Sequence, residues 1–322
     1  MKCIHKLIVI ATALLIASSA MADIFSLTAE NDFLYHTDRH YTHGTRFMYM
    51  FEDDTIKEFG WTNVFDKLYL NDIFNNAFSA DKDRSIAFIL AQHMYTPSDI
   101  EIEELMPDDR PYAGWLYAGA MFTARDNKEM SIFEIDIGTT GPHSLADQTQ
   151  ILMHKWIHSQ EPMGWSHQIG NEAGIDLIYE HRLRYRYEDY IDFIPHYGIN
   201  AGNILGYANV GGTLRMGYNI PDDFGIFRME PGTRLANRSD FSIFLFADTD
   251  CRYVARNIFL DGNTFKDSHR VEKNSFVQDL GLGVGVGYGN MEIVYSYNQR
   301  SKEFKLQEEN NEFGTVVISY RF

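Results

Sequence analysis

The 322-residue chain carries 28 Lys and Arg against 45 Asp and Glu, a formal net charge of −17 at pH 7, which argues against nucleic acid as a partner. Its mean hydropathy is −0.29, and past residue 22 no stretch approaches the roughly 18 apolar residues of a membrane-spanning helix.

The first 22 residues read as an address. Lys2 and Lys6 precede the apolar run LIVIATALLIA, and Ala20-Met21-Ala22 offers small residues for cleavage, so a secretory signal peptide is expected, with the mature chain starting near Asp23. Cys3 lies ahead of the apolar core, not at the cleavage point, which speaks against a lipoprotein anchor. Without Lys2 and Lys6, 26 basic residues face 45 acidic ones, a net near −19. Cys251 is then the lone mature cysteine, expected as a buried thiol outside any disulfide.

From residue 23 to 322 one domain is expected, all-β, because apolar and polar residues alternate with a period of two again and again. About twelve strands are legible, near 24–31, 43–52, 84–95, 112–124, 129–139, 166–186, 190–202, 205–219, 239–257, 276–288, 290–299 and 312–322. In SIFEIDIG, Phe133, Ile135 and Ile137 oppose Glu134 and Asp136. An even count suits a closed transmembrane antiparallel barrel with both termini periplasmic, short periplasmic turns and longer outer loops. Turns at 125–128, 187–190 and 289–290 obey that rule; 53–83 and 220–238 are too long for it.

The first outer loop region, AENDFLYHTDRHYTHGTRF, gathers Glu30, Asn31, Asp32, Asp38 and Thr42. Carboxylate, amide and hydroxyl oxygens together suit a hard cation such as Ca²⁺ or another divalent ion. His36, His40 and His43 are the softer-metal alternative, with irregular spacing against it. The third outer loop holds one short helix near the extracellular rim. Ser144 is the expected N-cap, and Asp147, Gln150, His154 and His158 fall on one polar face opposite Leu145, Leu152 and Trp156. His158 is expected to be merely solvated.

Further on, Arg182, Arg184 and Arg186 are expected to neutralise acids in the lumen. LGLGVGVGYGN alternates Gly281, Gly283, Gly285 and Gly287 with apolar residues, so it is a strand with an all-glycine inner face that leaves room for bulk, not a nucleotide loop. The last strand, FGTVVISYRF, sets Gly314, Val316, Ile318, Tyr320 and Phe322 against Thr315, Ser319 and Arg321, with only Val317 out of place. Apolar outside and polar inside is the pattern a barrel in lipid requires.

In order along the chain, END at 30–32, DRHYTHG at 38–44, MYTPSDI at 94–100, DDRPYAGWLY at 108–117, GPHSLADQTQILMH at 141–154, PMGWSHQI at 162–169 and FLDGNTF at 259–265 resemble the outer-membrane lipid A 3′-O-deacylases. The resemblance implies a twelve-stranded barrel in the bacterial outer membrane. Its site would lie between the wall and one helix near the outer leaflet, acting on lipid A of lipopolysaccharide. Asn31, Asp32, Thr42, Gln150 and His154 fall on the family's active-site positions; its lysine has no assignable counterpart. The expected reaction is hydrolysis of a 3′-acyl ester by a His154-activated water, with Gln150 orienting and Ca²⁺ at Asp32 polarising the carbonyl. No GxSxG elbow is present. Two other readings stand beside it: an outer-membrane phospholipase, disfavoured by a helix-borne histidine, and a non-enzymatic pore or structural barrel, disfavoured by the glycine strand. No protein partner is implied beyond the lipids of the membrane.

Overall fold

A computed structural model describes residues 23–32, 40–225 and 241–322. Residues 1–22, where a signal peptide is expected, 33–39, with His36 and Asp38, and 226–240 lie outside the described residues. Thirteen antiparallel strands form one sheet: β1 (Ile24–Asn31), β2 (His40–Phe51), β3 (Asp83–Thr96), β4 (Ala113–Arg125), β5 (Glu129–Thr140), β6 (Ala173–Leu183), β7 (Tyr185–Tyr187), β8 (Ile191–Gly202), β9 (Leu205–Tyr218), β10 (Ser242–Asn257), β11 (Phe276–Tyr288), β12 (Met291–Arg300) and β13 (Asn311–Arg321). Apart from β6 and β7, sequential strands are neighbours; β1 pairs with β13 and β6 with β8, so twelve strands close the barrel. The three-residue β7 is an extra strip on β8. The expected strand at 166–186 splits: its first part is a 3-10 turn, Gly164–His167, and its end breaks at Arg184.

The sequence alternation becomes inside and outside. On β13, Thr315, Val317 and Ser319 are buried while Tyr320 is exposed. Val317 is not a misfit: it packs inside the barrel with Ile220, Phe244, Phe246 and Val294. The room left by the glycines of β11 is taken by the neighbouring strand. Phe244, Phe246 and Asp248 lie directly opposite Gly285, Gly283 and Gly281, and a Cβ on any of the three would sit 2.1–2.3 Å from those side chains. Cys251, expected buried, is exposed. The same alternation explains it, because inward Asp250 forces its neighbour outward.

Inside, buried ion pairs span the lumen: Arg46 to Glu134 at 2.8 Å, Arg215 to Asp192 and Asp223 at 2.5 Å each, and Arg252 to Asp250 and Asp279 at 2.6 and 3.0 Å. Of the three arginines read as lumen neutralisers, Arg182 pairs with Glu180 at 2.5 Å. Arg184 and Arg186 instead hold Asp222 and the carbonyls of Asp223, Pro221 and Ile220. They strap 219–225 across the rim that carries the termini, with Ile220 and Phe224 buried. The other long segment, 53–82, carries helices α1 (Asp53–Glu58), α2 (Asn63–Lys67) and α3 (Leu70–Ile73). These lie as an apron on outward-facing strand aromatics, Phe65 against Phe122 and Phe74 stacked on Tyr179 at 4.2 Å. At the opposite rim, Ile258, Phe259 and Leu260 of the one-turn helix Ile258–Asp261 are buried as a plug, with Phe259 stacked on Tyr95 at 4.2 Å.

Candidate active site

The helix read from the third outer loop is α4, Ala146–Ile157. Ser144 does not cap it; its hydroxyl donates to the Gly141 carbonyl at 2.6 Å. The cap position is Leu145, in a left-handed conformation at φ 60, which redirects the chain from the 3-10 turn Gly141–Ser144 into the helix. At the far end His158 is again left-handed, at φ 58. Such backbone is costly for a side chain with a Cβ and collects at functional sites.

α4 lies on the outside of the barrel wall, over β3 and β4. Gln92 of β3 donates to the Ser144 carbonyl at 2.6 Å. A Cβ at Gly114 of β4 would sit 2.4 Å from that of Ala146, so only glycine lets the helix approach this closely. Met94, Ile100, Tyr112, Ala146 and Trp165 pack as one cluster beneath it. The amphipathicity is inverted. Gln150 and His154 are buried, whereas Leu152, Met153, Trp156 and Ile157 are exposed, Trp156 to 77%. The expected polar face splits: Gln150 and His154 turn to the wall, Asp147 is half-buried, and His158 is exposed.

Both buried groups are held in defined orientations. The His154 Nδ1–H donates to the carbonyl of Gln160, brought under the ring by the left-handed turn at His158. A carbonyl can only accept, so the neutral imidazole carries its proton on Nδ1 and its lone pair on Nε2. Gln150 takes the indole N–H of Trp165 on Oε1 at 2.7 Å. Its amide NH₂ is therefore turned away from the indole, a donor and not a base. Trp165 is thus one partner that fixes the glutamine.

The wall supplies Asn31, Thr42 and Asp32. A bulge in β2 between Tyr41 and His43 sets Thr42 apart from the regular register, and bulges re-aim side chains beside active sites. Thr42 Oγ1 lies 2.7 Å from Thr96 Oγ1 on β3, and Asn31 Nδ2 donates to the Thr42 carbonyl at 3.1 Å and lies 3.5 Å from His43 Nδ1. Asp32 is buried at the end of β1, its N–H 3.5 Å from the same carbonyl. Because β1, β2, β3 and β4 are consecutive in the sheet, these residues and α4 share one stretch of wall. Asn31, Thr42, Thr96 and Gln92 form a polar strip on the wall that runs up to α4. Gln92, Thr96, Gln160 and Trp165 were not singled out from sequence, and His43 was read there only as a softer-metal candidate. A polar residue at a lipid-facing strand position was the available signal for Gln92 and Thr96.

For a cation, the donors here are oxygens: one buried carboxylate, Asp32, with Thr42 and Asn31 beside it. That donor set fits a hard ion in kind. Histidines do not form a softer site among the described residues: His43 Nε2 lies 2.6 Å from Thr45 Oγ1, His40 packs edge-on against Phe304, and no three His, Cys, Asp or Glu converge.

The family model for outer membrane protein LpxR matches residues 5–322. No curated protein matches. Among solved structures, LpxR from Salmonella typhimurium superposes with a TM-score of 0.73 at 20% identity, covering 93% of this chain and all of that one. The β domain of the Bordetella autotransporter BrkA (TM-score 0.41, 10% identity, 94% of this chain and 99% of that one) and the NalP translocator domain from Neisseria meningitidis (0.43, 8%, 100% and 98%) are more distant barrels. This chain belongs to the LpxR family, the lipid A 3′-O-deacylases whose motifs it shares, and is a barrel of the bacterial outer membrane.

Proposed function

We propose that the protein hydrolyses the ester linking a 3′-acyl chain to lipid A, at a site between the barrel wall and α4 facing the outer leaflet. The observation that carries this reading is the inversion of α4: Gln150 and His154 are buried against the wall while Leu152, Met153, Trp156 and Ile157 face out. A helix so placed offers acyl chains an apolar flank and an ester a polar pocket.

His154 Nε2 removes a proton from water, whose oxygen attacks the ester carbonyl carbon. The Gln150 NH₂ donates to the oxygen that gains charge in the tetrahedral intermediate. When the C–O bond to the sugar breaks, the imidazolium returns its proton to the departing sugar oxygen, giving a fatty acid and a free 3′-hydroxyl. The Gln160 carbonyl holds the ring through both transfers. Asn31 and Thr42 fix the opposing wall. A hard divalent cation such as Ca²⁺, held by Asp32 with neighbouring neutral oxygens, would supply Lewis-acid polarisation of the ester carbonyl.

The test is mass spectrometry of lipid A from cells with and without the protein. Loss of one acyl group at the 3′ position is expected. A change confined to glycerophospholipids would replace this reading with a phospholipase.

A further inference from the structure

Beside the catalytic helix is a second concavity that the ester chemistry does not use. It is an open cleft of about 530 Å³, with Asp147 of α4, Trp165, Gln168, Gly170, Asn171 and Lys266 along its walls. Trp165 is common to both places, since its N–H fixes Gln150. We infer that this cleft binds the anionic saccharide headgroup of the lipid substrate, with Lys266 on the anionic group; the inference rests on the deacylase reading above.

The cleft is built, not incidental. Asn263 clamps Gly170 from both sides, accepting from its N–H at 2.8 Å and donating to its carbonyl at 2.9 Å. Glu172 accepts from the Thr264 N–H at 2.8 Å and from Asn263 Nδ2 at 3.1 Å. Burial alone would raise that carboxyl, but the bonds from Thr264, Asn263 and Asn203 outweigh it and hold it below the usual range. Lys266 follows two residues after this fixed point. Its chain lies on Gly170, where a Cβ would come within 2.5 Å of both Cε and Nζ. The absence of a side chain there is what lets the ammonium settle into the cleft.

The polar inventory points to a sugar. Lys266 has no carboxylate partner among the described residues, whereas Lys273, seven positions on, is paired with Asp261 at 2.8 Å. Gln168 lines the cleft, and its Oε1 is buried with no hydrogen-bond partner, an unmet acceptor that a small turn of the side chain would offer to a hydroxyl. The Asp147 carboxylate, engaged by the Gln148 N–H at 2.7 Å, repels an anion from the helix side and leaves the lysine side for it. A sugar ester necessarily places its ring within a few bonds of the scissile carbonyl. A headgroup in this cleft therefore keeps its acyl ester beside Gln150. The anion has two chemical sources, a phosphate on the lipid A sugars or the carboxylate of an attached acidic sugar.

The experiment compares wild type, Lys266→Gln and Gly170→Ala in detergent. Three substrates separate the sources: phosphorylated lipid A without further sugars, the same lipid dephosphorylated, and dephosphorylated lipid A carrying an acidic sugar. Losing a charged hydrogen bond predicts a roughly tenfold rise in KM for Lys266→Gln with kcat kept. A rise only on the phosphorylated lipid supports a phosphate ligand; a rise only on the sugar-acid substrate supports the carboxylate. Gly170→Ala, which leaves the lysine but crowds its ammonium, should move KM in the same direction. Equal KM for Lys266→Gln and wild type on all three substrates overturns the inference. Binding of the same lipids to His154→Ala protein, with and without Lys266→Gln, judges the cleft without turnover. If wild type releases no acyl chain while binding still depends on Lys266, the deacylase reading fails and the cleft stands; lysine-independent binding sinks the cleft alone.

Discussion

Trp165 donates its indole N–H to Oε1 of Gln150 at 2.7 Å, and that bond sets which end of the amide is the acceptor and which the donor at the proposed ester site. Phenylalanine at 165 keeps the ring against Tyr112, 4.8 Å away, but removes the donor. The Gln150 amide is then no longer held in one orientation, and misplaced catalytic groups cost up to about a hundredfold in rate. Trp165→Phe should therefore lower kcat by roughly ten- to a hundredfold with KM little changed and heat-modifiable barrel intact. Unaltered kcat would remove Gln150 orientation from the mechanism.

The barrel was legible because lipid on one side and a packed polar lumen on the other impose a period of two that few substitutions can hide. The same rule applied strictly would have turned Cys251 outward and Val317 inward. What alternation could not supply is how the non-strand segments lie. Residues 53–82 look like an oversized turn until Phe74 is seen stacked on Tyr179, a pairing about a hundred residues apart in sequence. For α4, helical spacing revealed two faces, but not which one meets the barrel. Burial by polarity would have pointed Leu152 and Trp156 inward, and outside a membrane barrel that logic reverses. The candidate residues on the wall came from the oxygen-rich first loop and from motif resemblance; the bonds that orient His154 and Gln150 depend on tertiary contacts with Gln160 and Trp165.

His154 and His158 should separate cleanly. Removing a general base costs about 10²–10⁴ in rate, so His154→Ala should lose at least about a hundredfold of deacylation while still inserting as a heat-modifiable barrel. His158 is exposed and contributes its left-handed backbone, φ 58, to the turn that brings Gln160 beneath the His154 ring. Glycine adopts that conformation freely and a β-branched residue resists it. His158→Gly should retain wild-type activity, whereas His158→Val should lower kcat without touching any side chain in the pocket. Full activity in His158→Val would separate the turn from the orientation of His154.

Asp32 is the single carboxylate in the oxygen set at the wall, buried at the end of β1. If it holds a hard cation, EGTA should abolish deacylation and added Ca²⁺ should restore it. Asp32→Asn keeps the size and one oxygen but removes the charge, so it should shift the Ca²⁺ requirement to higher concentration, whereas Asp32→Ala should lose the response. Turnover that persists in chelator would leave Asp32 with a structural role.

Leu152, Met153, Trp156 and Ile157 are all more than a third exposed, on a helix whose other side covers the polar strip of the wall. Strands on either side present Leu90 and Ile137 outward as well, so the flank is continuous with the lipid-facing band. Tryptophan is favoured at the boundary between headgroups and acyl chains, and an amphipathic helix lying there buries its apolar side by several ångströms. A single-tryptophan protein retaining Trp156, with Trp61, Trp115 and Trp165 replaced by Phe, should be quenched by lipids brominated near the top of the acyl chain more than by lipids brominated near its end. Trp156→Glu, which puts a charge into that layer, should raise KM for lipid A in bilayers and leave turnover of a short-chain soluble ester unchanged, because His154 and Gln150 lie on the opposite face. Quenching only by an aqueous agent such as iodide would lift α4 out of the leaflet. The acyl chain would then have to reach the ester from the water side, contrary to the geometry proposed for catalysis.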